Sequence, residues 1–353
     1  MKADPIRFLS VCSGLEGASL AVEPLGWMPV GFSEIEAFPS AIIAERYGSN
    51  LPGETLSGNA PPNFGDFTKI PLDQLGTVDI LIGGTPCQAF SVAGKRLSLD
   101  DARGNLTLAY VVLAHELARS HGLRNAIWEN VPGVLNTKDN AFGCFLGAIV
   151  GHDTAFPQPR GAGWPSAGMV DGPRCRAAWR VLDAQYFGLA QRRARVFVVA
   201  DFGNGADPVE VLFERQSVQG HSAPRREAGQ RPSGTISSRT QGGGGLGTDF
   251  DLDGGLVVAS QWAVRRLTPR EAERLQGIPD DHTRIPWRGR PAAECPDGPR
   301  YRSLGNSWAI PVVNWIAKRI DHALGQTQQS HADKVHKQST PATDEHRHAL
   351  SGT

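Results

Sequence analysis

The stretch IRFLSVCSGLEGASLAVEPLGWMPVGFSE, residues 6–34, decides the fold. The apolar run IRFLSVC leads into the glycine-containing turn SGLEG, then into ASLAVEPLG, which closes at a glycine, and finally into a second run, MPVGFSE, with acidic residues at its end. This order is typical of a strand, a helix and a second strand. Together they predict a βαβ unit, the building block of a parallel sheet.

Later segments extend this pattern. Further strands are predicted at 78–82, 125–130 and 195–200, with a helix across LTLAYVVLAHELARSHG, residues 106–122. Alternating strands and helices predict an α/β fold with a mainly parallel sheet and helices on both faces. Thr268 and Glu271 form a predicted capping box around Pro269, which marks a helix start. The last clear helix is SWAIPVVNWIAKRIDHAL, residues 307–324.

Composition excludes several classes of protein. The chain has 353 residues, and its 36 basic residues balance its 36 acidic ones. No apolar stretch is long enough to span a bilayer, and the first residues lack the core of a signal peptide, so we expect a cytoplasmic protein without a membrane partner. The 5 cysteines are widely spaced and include no CxxC pair. They predict neither a disulfide framework nor a metal site.

Charge is distributed unevenly along the chain. Residues 1–173 carry a net negative charge and residues 174–290 a net positive one, and arginine far outnumbers lysine. Arginine suits bidentate contacts with phosphates and guanine edges. The basic middle segment therefore indicates a surface for nucleic acid.

Reactive residue types follow the predicted strands. Cys87 follows Pro86 after the apolar run VDILIGG, and Glu129 ends the run NAIWEN. Gln191, Arg193 and Arg195 alternate as the chain enters another strand, so alternate side chains share a face. Ligands of open α/β sheets bind at the carboxyl ends of the strands. A thiol, a carboxylate and a guanidinium at this edge indicate nucleophilic attack on a heterocycle, although a buried structural thiol is the alternative reading of Cys87.

A cofactor site is indicated by the first turn. Gly14 and Gly17 let the backbone approach a ligand at a helix N-terminus, and Glu34 and Glu36 stand where an acidic residue commonly binds a ribose hydroxyl. The turn CSGLEG is not the GxGxxG pattern of dinucleotide sites. A nucleoside cofactor is therefore favoured over NAD.

Eight segments in a fixed order, taken together, resemble the cytosine-C5 DNA methyltransferases, particularly the bacterial and phage-borne group. They span most of residues 7–320 and are SGLEG, SEIE, GDFT, GGTPCQAFSVAGKR, ENV, QRRAR, RRLTPREAERLQGIP and LGNS. The resemblance implies a Rossmann-like domain that uses S-adenosylmethionine, gives S-adenosylhomocysteine and acts on cytosine in duplex DNA. It also implies a smaller, irregular or β target-recognition domain.

The same resemblance implies the catalytic roles. Cys87 adds to C6 of the flipped cytosine, Glu129 hydrogen-bonds or protonates N3, and Arg195 contacts O2, while Arg193 supports the site or neighbouring phosphates. The residues implied for DNA binding are Gln88, Ser91, Arg96, Gln191, Arg239 and Gln241.

The cofactor residues are implied by position. The turn from Gly14 to Gly17 takes the methionine portion, Glu34 the ribose hydroxyls, Ile35 the adenine face and Asp66 the adenine amino group. The remaining members of the implied pocket are Cys12, Phe67, Pro86, Leu106 and Asn306. Two departures affect this turn: Cys12 stands where many members have an aromatic residue, and Glu16 replaces a common glycine.

The predicted domains are a catalytic and cofactor-binding domain at 1–200, target recognition at 201–300, a returning C-terminal helix at 301–325 and a disordered tail at 326–353. Residues 151–173 are interpreted as a surface insertion, with DNA contact through His152 or Trp164 as the alternative. We expect a monomer in a bacterial or phage-infected cell, with a cognate restriction endonuclease as a possible partner. An RNA cytosine methyltransferase, a catalytically silent DNA-binding homologue and, more remotely, a nicotinamide oxidoreductase stay open.

Overall fold

A seven-stranded sheet forms the centre of the protein. The structure, a computed structural model, describes residues 4–86, 105–159, 163–213, 257–259 and 264–338. The strands are β1 (Arg7–Val11), β2 (Met28–Ser33), β3 (Ile80–Gly83), β4 (Asn125–Asn130), β5 (Ala167–Asp171), β6 (Arg176–Asp183) and β7 (Ala194–Asp201). Their order in the sheet is β2-β1-β3-β4-β7-β6-β5. Strands β2, β1, β3 and β4 pair in parallel, whereas β7, β6 and β5 continue the sheet in antiparallel pairing.

Helices pack on both sides of this sheet. They are α1 (Gly17–Val22), α2 (Ala37–Tyr47), α3 (Leu106–Ser120), α4 (Ala141–Val150), α5 (Pro208–Leu212), α6 (Pro269–Gln276), α7 (Asp297–Asn306) and α8 (Ile310–Gln338). A separate two-stranded sheet joins β8 (Val257–Ala259) to β9 (Val264–Arg266). Within the described ranges, no helix combines the length and the apolar character needed to cross a membrane.

The central strands are buried on both faces, which explains their continuous apolar runs. Ile80 and Ile82 point into one hydrophobic core, where α1 and α8 contribute, while Leu81 between them points into a second core with α3 and α4. Successive side chains of a strand face opposite sides of the sheet, so one run of four residues serves both cores.

The parallel half of the sheet follows the prediction, and the antiparallel half was only partly foreseen. Strand β5 lies inside 151–173, which we interpreted as a surface insertion, and it pairs with β6 across the turn at Gly172. The Trp164 ring packs against Phe142 and Trp179, and its Nε1 donates to Asn140 Oδ1 at 2.9 Å, so these contacts give Trp164 a packing role. Glycine and proline around these short strands masked their pattern.

The C-terminal region returns to the sheet. The predicted capping box is confirmed, because Thr268 and Glu271 bond each other's backbone at the start of α6. Helix α8 continues to Gln338, so residues 326–338 of the predicted disordered tail are helical. Between Gly325 and Pro341 the chain contains no glycine or proline, so nothing there interrupts a helix. The predicted domain boundaries stay a prediction. Helix α5 lies in the predicted target-recognition domain, yet it packs on the central sheet, where Arg180 of β6 donates to Leu212 O at 2.8 Å.

Candidate active site

A cavity of about 740 Å³ opens at the carboxyl ends of β1 to β4. Ligands of open α/β sheets bind at this edge. Its wall is built from the loops after these strands, the start of β7 and the end of α7. The predicted site residues that line it are Cys12, Gly14, Glu34, Ile35, Asp66, Phe67, Pro86, Leu106, Glu129, Arg193, Arg195 and Asn306.

The loop between β1 and α1 forms one end of the cavity. Gly14 has a φ of 58°, and a Cβ there would point into open space, so a ligand can approach the backbone. Its N–H donates to Glu34 Oε2 at 2.7 Å. Gly17 does not line the cavity, since a Cβ there would lie 3.2 Å from Ile310 Cδ1 and Ser307 Oγ. Gly17 therefore permits close packing of α1 on α8.

Glu34 and Ile35 follow β2 at the same end. The Glu34 carboxylate is fixed by backbone, because Oε1 also accepts from the N–H of Glu36 at 2.7 Å. Burial raises the pKa of Glu34, an effect that these backbone hydrogen bonds oppose. Ile35 presents an apolar side chain that is 69% exposed, which is unusual for a large aliphatic residue beside a cavity. An acid with an exposed apolar neighbour suits the ribose and base of a nucleoside.

Three further elements line the cavity. Asp66 caps the short 3-10 turn Phe67–Lys69 by accepting from Thr68 N at 3.1 Å. Leu106 opens α3, and Asn306 ends α7 with an exposed side chain. These positions complete the enclosure around the Glu34 end.

An ion pair occupies the other end of the cavity. Glu129 Oε1 lies 3.0 Å from Arg195 Nε, and both side chains are largely buried. The two meet because β4 and β7 are antiparallel, with Asn130 opposite Val196, so that the end of β4 reaches the beginning of β7. Burial raises the pKa of Glu129, and the charges of Arg195 and Arg193 oppose that rise. Burial and the two arginines therefore act in opposite directions on the Glu129 carboxyl group.

Arg193, which immediately precedes β7, connects this strand to the end of α7. Its buried guanidinium donates through Nη2 to Gly305 O at 2.8 Å and Ser307 O at 2.6 Å, on either side of Asn306. Burial, with a smaller contribution from the charge of Arg195, lowers the pKa of Arg193 to about 9. Arg193 therefore fixes the backbone on both sides of Asn306.

Several predicted residues cannot be placed around the cavity. Cys87, Gln88, Ser91, Arg96, Arg239 and Gln241 lie outside the described residues. Gln191 is described and is fully buried away from the cavity, so its predicted contact with DNA is not accessible in this conformation.

Thr85 and Asn130, which were not among the predicted site residues, hold in place the chain that leads to Cys87. Thr85 Oγ1 accepts from Trp128 Nε1 at 2.9 Å and lies 2.9 Å from Thr107 Oγ1. Asn130 Nδ2 donates to Thr85 O at 3.1 Å. Thr85 belongs to the motif GGTP and Asn130 to the motif ENV. Their hydrogen bond could not be predicted from the sequence, because it forms only when β3 and β4 lie side by side. These bonds fix the chain two residues before Cys87.

The fold and the cavity define an α/β protein with a cavity at the carboxyl ends of its parallel strands, beside a glutamate–arginine pair. The family model described as C-5 cytosine-specific DNA methylase matches residues 6–149 and 209–322. The chain therefore belongs to the C-5 cytosine-specific DNA methylase family. This confirms the resemblance and, at the level of enzyme class, the predicted DNA cytosine-C5 methyltransferase.

The chain is also similar to curated methyltransferases and to a solved structure. The chain is 34% identical to the DNA N-6-adenine-methyltransferase of Escherichia phage P1, over 93% of this chain but 63% of that protein's length. It is 26% identical to the Type II methyltransferase M2.BsuMI of Bacillus subtilis (strain 168), over 94% of this chain and 79% of the relative. The structure of S. pombe Dnmt2 methyltransferase matches with a TM-score of 0.57 and 14% identity over 92% of this chain and 99% of that one. The last likeness confirms the predicted fold.

Proposed function

We propose that this protein transfers a methyl group from S-adenosylmethionine to C5 of a flipped-out cytosine in a short, specific sequence of duplex DNA. The observation that carries the proposal is the arrangement of the cavity. A glycine loop and Glu34 form one end, and the Glu129–Arg195 pair forms the other, beside the segment that leads to Cys87. A cofactor and a base bound at these two ends would meet inside one enclosure.

The residues at the first end fit S-adenosylmethionine, which supplies an electrophilic methyl group when bound. Open space above Gly14 admits the amino-acid portion, and the fixed Glu34 carboxylate suits two ribose hydroxyls. The exposed face of Ile35 suits the adenine ring, and Asp66 suits its amino group. Cys12, Phe67, Pro86, Leu106 and Asn306 would complete this pocket.

The residues at the other end suit activation of cytosine. C5 is a poor nucleophile, and addition of the Cys87 thiolate at C6 moves electron density onto C5. Glu129 would give its proton or a strong hydrogen bond to N3, which its raised pKa allows, and Arg195 would contact O2. After C5 takes the methyl group, a base removes the C5 proton, the electron pair expels Cys87, and the C5–C6 double bond returns.

Cytosine in a stacked duplex cannot reach this cavity. The base must leave the helix, which costs roughly a few kcal/mol. Arg193 would hold the wall in place, and Gln88, Ser91, Arg96, Arg239 and Gln241 are the residues proposed to contact DNA. The segment at 201–263 would read the sequence. A monomer in the cytoplasm, acting with or without a cognate endonuclease, fits this scheme.

Two alternatives concern the substrate, and a third is a homologue that binds DNA but has lost catalysis. An RNA acceptor would use the same base chemistry. Adenine N6 methylation is named for the phage P1 relative, of which this chain spans 63%. That activity needs attack by an exocyclic nitrogen and no thiolate, whereas the family matched here acts on C5. The part of the phage relative that this chain does not match can carry the activity in its name.

The test is expression in a methylation-free host, followed by bisulfite sequencing and mass spectrometry of digested nucleosides. We expect 5-methylcytosine in one short motif, its loss in Cys87→Ser, and its retention in Cys295→Ser, which alters a half-buried thiol outside the cavity. N6-methyladenine, or methylation of transfer RNA alone, would contradict the proposal. So would DNA binding without methyl transfer by the parent protein.

A further inference from the structure

Glu16 is buried where a charge is not expected. The side chain is fully buried at the start of α1, and its backbone has a φ of 61°, a conformation that favours glycine. Its Oε1 accepts from Ser19 N and Ser19 Oγ, both at 2.9 Å, and its Oε2 accepts from Ser10 Oγ at 2.8 Å. Its hydrogen-bond donors are serines, and no described lysine or arginine forms an ion pair with it. Glu16 is the N-cap of α1, where a glycine would adopt the backbone conformation with less strain but would leave the N–H of Ser19 without this acceptor.

Glu16 lies directly behind the cavity loop. Ser13, one residue before Gly14, is 3.0 Å through its Oγ from the same Ser10 Oγ that donates to Glu16. In front of the loop, Glu34 accepts from the N–H of Gly14 at 2.7 Å. The glycine loop is thus placed between two buried carboxylates. Burial of carboxylates without a cation is costly, and a cation bound at the loop would offset that cost.

We propose that Glu16 makes this end of the cavity selective for a cofactor that carries a positive sulfonium charge over its neutral thioether product. The inference rests on the proposed function and goes beyond the residues that line the pocket. Methyl transfer breaks the bond between sulfur and the methyl carbon and leaves the electron pair on sulfur, which removes the positive charge. The attraction to Glu16 therefore acts before transfer and is absent after it, so that product release is favoured.

The groups around Glu16 make the effect depend on pH. Burial raises the pKa of Glu16 to about 7, with hydrogen bonds from serines opposing the rise. Burial also raises the pKa of Cys12 to about 12, keeps the Tyr47 hydroxyl neutral by raising its pKa, and lowers the pKa of His282, which bonds the same loop. Glu34, whose pKa is also raised by burial, and Asp66 are further acids whose charges act on this loop, at Cys12.

The sign of the effect follows from these groups. A bound cation favours the ionised form of Glu16, so affinity for the positively charged cofactor should rise as pH increases through about 7. Binding below that pH should release a proton. Affinity for the neutral product should change little over the same range.

Calorimetric titration of the full chain with S-adenosylmethionine and S-adenosylhomocysteine between pH 6 and pH 8 (about one unit either side of the Glu16 value) tests the proposal. In Glu16→Gln we expect the preference for the charged ligand to fall about tenfold, equivalent to about 1.4 kcal/mol, and its pH dependence to disappear. Glu16→Gly, whose backbone accepts the turn, should behave alike. Glu23→Gln, which alters an exposed carboxylate just after the same helix, should behave as the parent.

Different outcomes separate this inference from the function on which it rests. If the parent protein binds both ligands with affinities whose ratio does not change between these pH values, the role of Glu16 is refuted without any variant. An unchanged ratio in a folded Glu16→Gly protein, checked by thermal unfolding, refutes it as well. If the parent binds neither ligand, the proposed function fails first.

Discussion

Replacement of Glu129 by glutamine tests the base-activating end of the cavity. Glutamine keeps the shape of the side chain and an oxygen that can accept from Arg195 Nε, now 3.0 Å from Glu129 Oε1. The fold should therefore survive with a loss of about 1–3 kcal/mol of unfolding free energy. The amide cannot give a proton to N3 of cytosine. General acid catalysis contributes roughly 10²–10⁴-fold, so the rate of methyl transfer should fall by that factor, or about 3–5 kcal/mol in activation free energy.

The assay is a single-turnover measurement of methyl transfer to duplex DNA at saturating cofactor. Cofactor affinity, measured separately by calorimetry, should stay within about threefold of the parent value, because Glu129 lies at the end of the cavity away from Gly14 and Glu34. Glu116→Gln makes the same chemical change on the exposed face of α3 and serves as the control. A Glu129→Gln protein that transfers methyl groups within threefold of the parent rate would refute the assigned role.

Three further substitutions test the supporting structure. Glu34→Ala should weaken cofactor binding at least about tenfold in calorimetry while the rate at saturation changes little, because a ribose contact acts in the ground and transition states alike. Arg193→Met leaves the carbonyls of Gly305 and Ser307 without their charged donor, so chemical denaturation should show a loss of about 2–5 kcal/mol, partly restored by Arg193→Lys. Thr85→Val should cost about 1–3 kcal/mol in thermal unfolding, because the buried Trp128 Nε1 loses its acceptor, and Thr85→Ser should restore it.

Much of the fold was readable because the central strands carry a strong local signal. The runs at β1, β3 and β4 are apolar and bounded by turn residues, and each is buried on both faces. The hairpin of β5 and β6 gave no such signal. Its β5 residues are only half-buried or exposed, and glycine and proline interrupt its surroundings. The antiparallel half of the sheet therefore depends on tertiary pairing that no short window of sequence contains.

The candidate site shows the same division between local and tertiary information. The edge rule for parallel strands was enough to predict that Gly14, Glu34 and Glu129 share one cavity. It could not indicate which polar side chains turn inward. Gln191 was expected at the DNA surface and is fully buried, and Glu16 appeared to be one residue of a turn and is a buried carboxylate. The inward direction of such side chains depends on the backbone conformation of each loop.

The charges of the cavity are separated along its length. Glu34 lines one end of the cavity with Glu16 buried behind it, whereas Arg193, Arg195 and the Glu129 carboxylate paired with Arg195 line the other end. Under the proposed function, a positive sulfonium would be favoured at the first end, and electron density that develops on the oxygen of an attacked cytosine would be favoured beside the two arginines. Methyl transfer removes the positive charge from sulfur and draws the added electron density away from the oxygen of the base. The electrostatic attraction that assembles the reactants therefore weakens when the products form, and the same layout that favours the reaction also favours release.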